Sequence, residues 1–321
     1  MVTENLDHLL PEVRELLKLT RLERLEHIKK DFWIGYPLAL VALQKLRELF
    51  DHPRRQRMPN LLIIGSTNNG KSMIIEKFCR GYKPKIERRR IDWDKFYDLG
   101  GYDQLIEMPL ISVQMPPAPD TRRFYIAILD KLENSYGCGS PAKLQFTGSM
   151  ENHLLSLFKK FNVRMLIIDE IHNILAGSNN KQREFLNVLR FLGNELKIPL
   201  VCVGTKDAYL AIRSDPQLEN RFEPFLLPRW KAGREYDSLL ASLAATFPLK
   251  KPSNLNSTKI SEYVLQKSEG ILGEIITLLR RVAIQAYYTN ETIDEMMFRM
   301  IEYHSPAERR LIFEKSLAEV S

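Results

Sequence analysis

The sequence predicts an α/β chain, a parallel five-stranded sheet flanked by helices with a small all-helical domain after it. Three observations carry this. Five short apolar runs, Leu61–Ile64, Leu110–Met115, Met165–Ile168, Leu200–Val203 and Phe225–Leu227, are separated by longer amphipathic segments. Runs of that length suit strands buried on both faces and joined by helical crossovers. Strand signals stop after Pro228, and helical periodicity takes over. The chain is also 321 residues long, more than one hydrophobic core usually fills.

The elements follow in order. Apolar residues recur at helical spacing at Leu9, Val13, Leu16 and Leu17, and again at Leu38, Val41, Ala42, Leu46 and Leu49, with a break at Trp33-Ile34-Gly35-Tyr36-Pro37. Residues 1–58 read as an N-terminal helical extension, 59–229 as the α/β core, and 230–321 as a helical lid with a C-terminal helix. In the last region helices are expected over Tyr236–Phe247, Ser257–Lys267, Leu272–Tyr288 and Glu308–Leu317. Ser305-Pro306-Ala307-Glu308 marks the start of the final one, with an N-cap, a first-position Pro and a Glu that closes a capping box.

Composition narrows the function. Hydrophobic residues make up 44% and charged residues 27%, which excludes general disorder. There is no apolar run long enough for a membrane span and no signal-peptide pattern at Met1, so the chain reads as cytoplasmic, with no membrane partner. Cys79, Cys138 and Cys202 are far apart, which argues against a zinc site or a disulfide framework. The net charge of +7 is compatible with a polyanionic partner without requiring one.

The strongest motif is Gly65-Ser66-Thr67-Asn68-Asn69-Gly70-Lys71-Ser72, which fits GxxxxGK[ST] at every fixed position. It lies between the run Leu61–Ile64 and the helical stretch that opens at Met73, the context a phosphate loop needs. Backbone N–H groups of residues 65–73 would cradle the phosphates of ATP, Lys71 would neutralise the β- and γ-phosphates, and the Ser72 hydroxyl would complete a Mg2+ position. A second half-site is Met165-Leu166-Ile167-Ile168-Asp169-Glu170, an apolar strand ending in two carboxylates. At the carboxyl end of a strand both would face the ligand crevice, Asp169 holding Mg2+ through water and Glu170 polarising the attacking water. His172 is left outside the catalytic set.

With these residues placed, the chain resembles an AAA+ ATPase, and more narrowly the TniB/TnsC family of transposition regulators. The most specific stretches are Trp33-Ile34-Gly35-Tyr36-Pro37, Arg57-Met58-Pro59-Asn60 leading into the P-loop, Ile168-Asp169-Glu170-Ile171-His172-Asn173, Val203-Gly204-Thr205-Lys206-Asp207-Ala208 and Asn220-Arg221-Phe222. The resemblance implies that Thr205 takes the sensor 1 position. It implies that Arg221 is the arginine finger supplied to the nucleotide of an adjacent subunit, so that the active form is an oligomer. One departure is visible: Gly270-Ile271-Leu272-Gly273-Glu274 offers no sensor 2 arginine.

The resemblance further implies an ATPase that assembles as a ring or helical filament on double-stranded DNA, recruits a transposase to a site chosen by a target-selector protein, and disassembles on hydrolysis. The sequence's own DNA signal is the basic stretch Arg80, Lys83, Lys85, Arg88, Arg89, Arg90, with Trp93 and Tyr97 close behind. A solvated basic face is the competing reading of that stretch. Related ATPases place pore-facing DNA contacts after the second strand, which here nominates Thr121, Arg122 and Arg123. Contacts of this kind would go to phosphates and be weakened by salt. Two other readings stay open: a helicase loader or replication initiator, and a STAND-like nucleotide switch that needs no DNA.

Overall fold

The computed structural model describes residues 6–89, 103–134 and 147–320. Helices α1 (Pro11–Leu16), α2 (Arg21–Lys29) and α3 (Pro37–Asp51) precede strand β1 (Asn60–Gly65) and helix α4 (Lys71–Cys79). Strands β2 (Lys85–Arg89) and β3 (Asp103–Glu107) pair antiparallel, apart from the main sheet. Then come β4 (Leu110–Gln114), α5 (Thr121–Asn134), α6 (Thr147–Lys160) and β5 (Met165–Asp169). A 3-10 turn over Ile171–Ala176 leads to α7 (Asn179–Glu195), β6 (Leu200–Gly204), α8 (Lys206–Arg213), α9 (Pro216–Glu219) and β7 (Phe222–Leu227). The remainder is helical, with α10 (Arg234–Thr246), α11 (Thr258–Ser268), α12 (Leu272–Tyr288), α13 (Glu295–Met300) and α14 (Pro306–Val320).

Two compact units emerge, and they do not follow chain order. Val41–Gly65 and Lys71–Leu227 form an α/β unit, while Met1–Leu40, Ser66–Gly70 and Pro228–Ser321 form a helical unit. Residues 1–58, expected as one extension, are thus shared between the two.

In the α/β unit the five strands run in the order β4-β5-β6-β1-β7, all parallel. The inner strands β1, β5 and β6 are buried at every position, as continuous apolar runs covered on both faces must be. The edge strands β4 and β7 are buried only in part. Pro224 sits on β7, where its missing N–H costs no ladder bond on the open side.

The helical unit is organised around α12, whose buried Leu272, Ile275, Ile276, Leu279, Val282, Ala283 and Ala286 recur at three- and four-residue steps. Thr20 and Glu23 form a capping box at the start of α2. That helix presents Arg24 to the ring of Tyr287, 4.9 Å from the guanidinium carbon to the centroid. Arg24 is 4% exposed, donates to the Pro248 carbonyl at 2.6 Å and pairs with Glu291. Burial works to raise the Glu291 carboxyl, but its hydrogen bond and ion pair with Arg24, helped by the Lys250 N–H, outweigh burial and hold the pKa below its ordinary value. A carboxyl depressed in the folded state stabilises above its ordinary pKa, and that contribution is lost as pH falls through the folded value. We therefore expect acid melting of the helical unit to set in below about pH 4.5 and Arg24→Ala to cost about 2–4 kcal/mol. Thermal melts of the two chains at neutral and acid pH check this; equal loss of stability in both would remove the pair from the account.

Candidate functional site

Parallel strands bring their carboxyl ends to one edge of the sheet. The register places Gly65 beside Leu227, Ile64 beside Gly204, and Asp169 beside Gln114, so the last residues of β1, β5 and β6 share that edge in the α/β unit. Lys71 opens α4 there and is 6% exposed, with its Nζ donating to the Gly65 carbonyl at 3.0 Å. Burial lowers its pKa, while Asp169 and Glu170 act in the opposite direction. The Ser72 hydroxyl donates to Asp169 Oδ2 at 3.0 Å. A hydroxyl and a carboxylate at that spacing are hard oxygen donors of the kind Mg2+ accepts, with phosphate oxygens and water completing its shell. The pair fits a Mg2+ site made of two side chains.

Glu170 departs from ordinary backbone geometry. Its φ of 58° and ψ of 33° lie in the left-handed region, which costs a non-glycine residue about 1 kcal/mol or more. The twist is held from both sides, by the Glu170 N–H on Asp169 Oδ1 at 2.8 Å and by the Asn173 N–H on the Glu170 carbonyl at 3.0 Å. It turns the half-exposed carboxylate toward His172, whose Nε2 lies 3.2 Å from Oε2. The other ring nitrogen of His172, Nδ1, is buried with no hydrogen-bond partner among the described residues.

Thr205 directly follows β6 at the N-cap position of α8, where its hydroxyl makes no capping bond to the helix and lies 3.5 Å from Asp207 Oδ2. Arg221 lies elsewhere. It immediately precedes β7, at the amino end of the strands, and donates to Asn194 Oδ1 at 2.8 Å. Within the α/β unit it is therefore at the opposite sheet edge from Lys71 and Asp169. Thr121 opens α5 with its hydroxyl 3.4 Å from Glu184 Oε1. Arg123 is paired with Asp120 at 3.5 Å, whereas Arg122, Lys83 and Lys85 have no ion-pair partner among the described residues. Arg90, Trp93 and Tyr97 lie outside the described residues, as does Cys138.

The loop residues Ser66–Gly70 belong by their contacts to the helical unit, and there the structure adds something the motif does not carry. Helix α12 has Ile271 at its N-cap, a residue that cannot cap. Its first N–H groups find the loop instead: Leu272 N–H donates to Asn69 Oδ1 at 3.1 Å and Gly273 N–H to the Asn68 carbonyl at 2.9 Å. Asn69, 3% exposed, also donates from Nδ2 to the Pro228 carbonyl at 3.0 Å. Asn68 adopts a φ of 61°, a conformation Asn tolerates better than most residues. A Cβ at Gly273 would lie 2.0 Å from Asn68 Oδ1, so a larger residue there would displace the exposed Asn68 side chain. Loop and helix start are thus built as one piece, in the stretch that lacks a sensor 2 arginine. The signal for this in the sequence is an Asn pair at the variable P-loop positions together with a long helix that has no cap of its own.

Asn69→Ala removes the acceptor for the buried Leu272 N–H and the donor to the Pro228 carbonyl at once. The expected cost is about 2–3 kcal/mol, read as a lower melting temperature of the nucleotide-free chain. Asn69→Asp keeps the acceptor alone and should fall between; a melt of Asn69→Ala equal to the parent's would remove the capping role.

Comparison with known proteins gives the following. The family model described as Bacterial TniB protein matches residues 24–232, more than half of the chain. No curated protein matches the sequence. Among solved structures, the ORC2 protein of Aeropyrum pernix, in ADPNP and ADP complexes, is similar at 15% identity and TM-score 0.51, with 85% of this chain and 70% of that chain covered. The Aeropyrum pernix ORC1 protein in complex with DNA matches at 12% identity and TM-score 0.52, covering 92% of this chain and 71% of the other. Drosophila ORC bound to DNA matches at 12% identity and TM-score 0.52, covering 88% and 65%. At such identities the likeness is one of fold.

Proposed function

Because the chain belongs to the bacterial TniB protein family and carries an AAA+ ATPase fold, we propose that it is an ATP-dependent, DNA-binding regulator of transposition. The observation that most supports ATP hydrolysis is the Ser72 hydroxyl on Asp169 at 3.0 Å, beside buried Lys71. It joins a phosphate loop to a metal-holding carboxylate across 97 residues of sequence.

In this reading the N–H groups of Gly65–Met73 hold the phosphates, and Lys71 carries the charge that faces the β- and γ-phosphates. Ser72 and Asp169 would hold Mg2+, Asp169 through water, and a bound ion would supply neutralisation of charge on the phosphoryl group. Glu170 takes a proton from the attacking water, and Thr205 touches that water or the γ-phosphate. Arg221, remote from its own chain's phosphate edge, serves the nucleotide of an adjacent copy, so turnover belongs to an oligomer. The oligomer forms on double-stranded DNA through phosphate contacts, with Arg122, Thr121, Arg123, Lys83 and Lys85 as the candidates. Transposase and a target-selecting protein are its partners, and hydrolysis releases the assembly. No helix of the described residues is long and apolar enough to cross a membrane.

The test is binding to a labelled random-sequence duplex with ATP, with ADP and without nucleotide, over a salt series. ATP-dependent binding that weakens steeply with salt supports the reading. Binding in none of these conditions sinks the DNA role and leaves a nucleotide switch.

A further inference from the structure

The pairing of β1 with β7 begins at Asn60 opposite Phe222, so the residues just before each strand converge at the amino edge of the sheet. The Asn60 N–H bonds the Arg221 carbonyl at 3.0 Å, and Asn60 Oδ1 accepts from Leu200 N–H at 2.9 Å, which fixes that corner. A cavity of about 590 Å³ opens there, lined by Arg55, Arg57, Met58, Gln217, Asn220 and Arg221 among others. No carboxylate among the described residues lines it. Arg221 is steadied by Asn194, a neutral group that leaves its charge unopposed. The Arg55 guanidinium reaches only the ring of His52, and Arg57 has no hydrogen-bond or ion-pair partner among the described residues. Three unopposed guanidinium groups around one concavity make a site for an anion with several phosphate oxygens.

That anion does not come from the chain's own P-loop. β1 runs six residues from Asn60 to Gly65, and at about 3.3 Å per residue its two ends lie roughly 17 Å apart. A side chain does not span that distance. The ligand is therefore carried in by another molecule, and contiguous phosphates suit a single cavity better than a backbone tracking along a surface.

We propose that Arg55 and Arg57 join Arg221 in a pocket for the polyphosphate of a nucleotide held by a second copy of this chain. This rests on the ATPase reading above and adds two residues and a defined pocket to it.

The experiment is turnover by the chain assembled on duplex DNA, comparing the parent, the double variant Arg55→Ala/Arg57→Ala, the single variant Arg57→Gln, and an equal mixture of the double variant with Glu170→Gln. Unchanged ATP affinity of the isolated double variant is the folding control. Turnover should fall at least about tenfold in the double variant and less in Arg57→Gln. In the mixture, Glu170→Gln copies supply intact pockets to the double variant's working nucleotide sites. Random neighbours then restore about a quarter of parent turnover. Parent-level turnover in the double variant overturns the pocket alone. Loss that mixing does not rescue, with weakened duplex binding, assigns the two arginines to DNA and also overturns it. A parent chain with no turnover overturns the ATPase reading and the pocket together.

Discussion

Glu170→Gln should bind ATP as tightly as the parent chain and turn it over about 10²–10⁴-fold more slowly. The amide keeps the shape of the side chain and remains within reach of His172, now 3.2 Å from the carboxylate, but it cannot take a proton from water. The Ser72–Asp169 pair and Lys71, to which the proposed function assigns the metal and the phosphates, are untouched. Binding and chemistry are thus separated by one atom, and the assembly on DNA that the proposed function calls for should persist instead of dissolving. A nucleotide titration and a phosphate-release assay on the same preparation decide the matter; release at the parent rate would show that the proton acceptor is another group.

Lys71→Ala should weaken ATP binding about 100-fold or more. The residue is almost wholly buried, so its loss removes a desolvated cation from the phosphate loop, and charge-assisted hydrogen bonds to phosphate are worth about 1.5–3 kcal/mol each. Burial lowers its pKa, so the parent's ATP affinity should also decline with rising pH before the ordinary lysine range near pH 10.4 is reached. A cation that titrates early is lost early. Calorimetric titrations of both chains across that range check the two effects, and an alanine variant with parent affinity would rule out the phosphate-facing role.

The fold was legible where burial acts on both faces of a strand. β1, β5 and β6 write themselves as unbroken apolar runs. β7 starts at Phe222, earlier than the apolar run at Phe225, because Glu223 and Pro224 are tolerated on an edge strand that is only partly buried. α14 was marked by local chemistry, and its capping box closes with Glu308 N–H on Ser305 Oγ at 3.1 Å and Ser305 N–H on Glu308 Oε2 at 2.7 Å. The β2–β3 pair was not foreseen, since a strand as charged as Lys85–Arg89 reads as a basic run. At the candidate site, motif spacing names Lys71, Ser72, Asp169 and Glu170, because phosphate and metal chemistry demands those types after those strands. It is silent about Asn68 and Asn69, which occupy positions where the motif accepts any residue and whose partners on α12 lie 203 or more residues away. A contact over that separation leaves no periodicity to read.

The strand order also dictates a sequence of events as the chain leaves the ribosome. β1 is made early yet pairs only with β6 and β7, which begin at Leu200 and Phe222. Until those segments emerge, the buried apolar residues Leu61, Leu62 and Ile63 have no strand on either side, while β4 and β5 can already pair with each other. Long-range parallel pairing of this kind is slow and leaves apolar edges open while it waits. The phosphate loop hangs from the end of that waiting strand, so a nascent chain gains a shaped nucleotide edge only in the last step of closing its sheet.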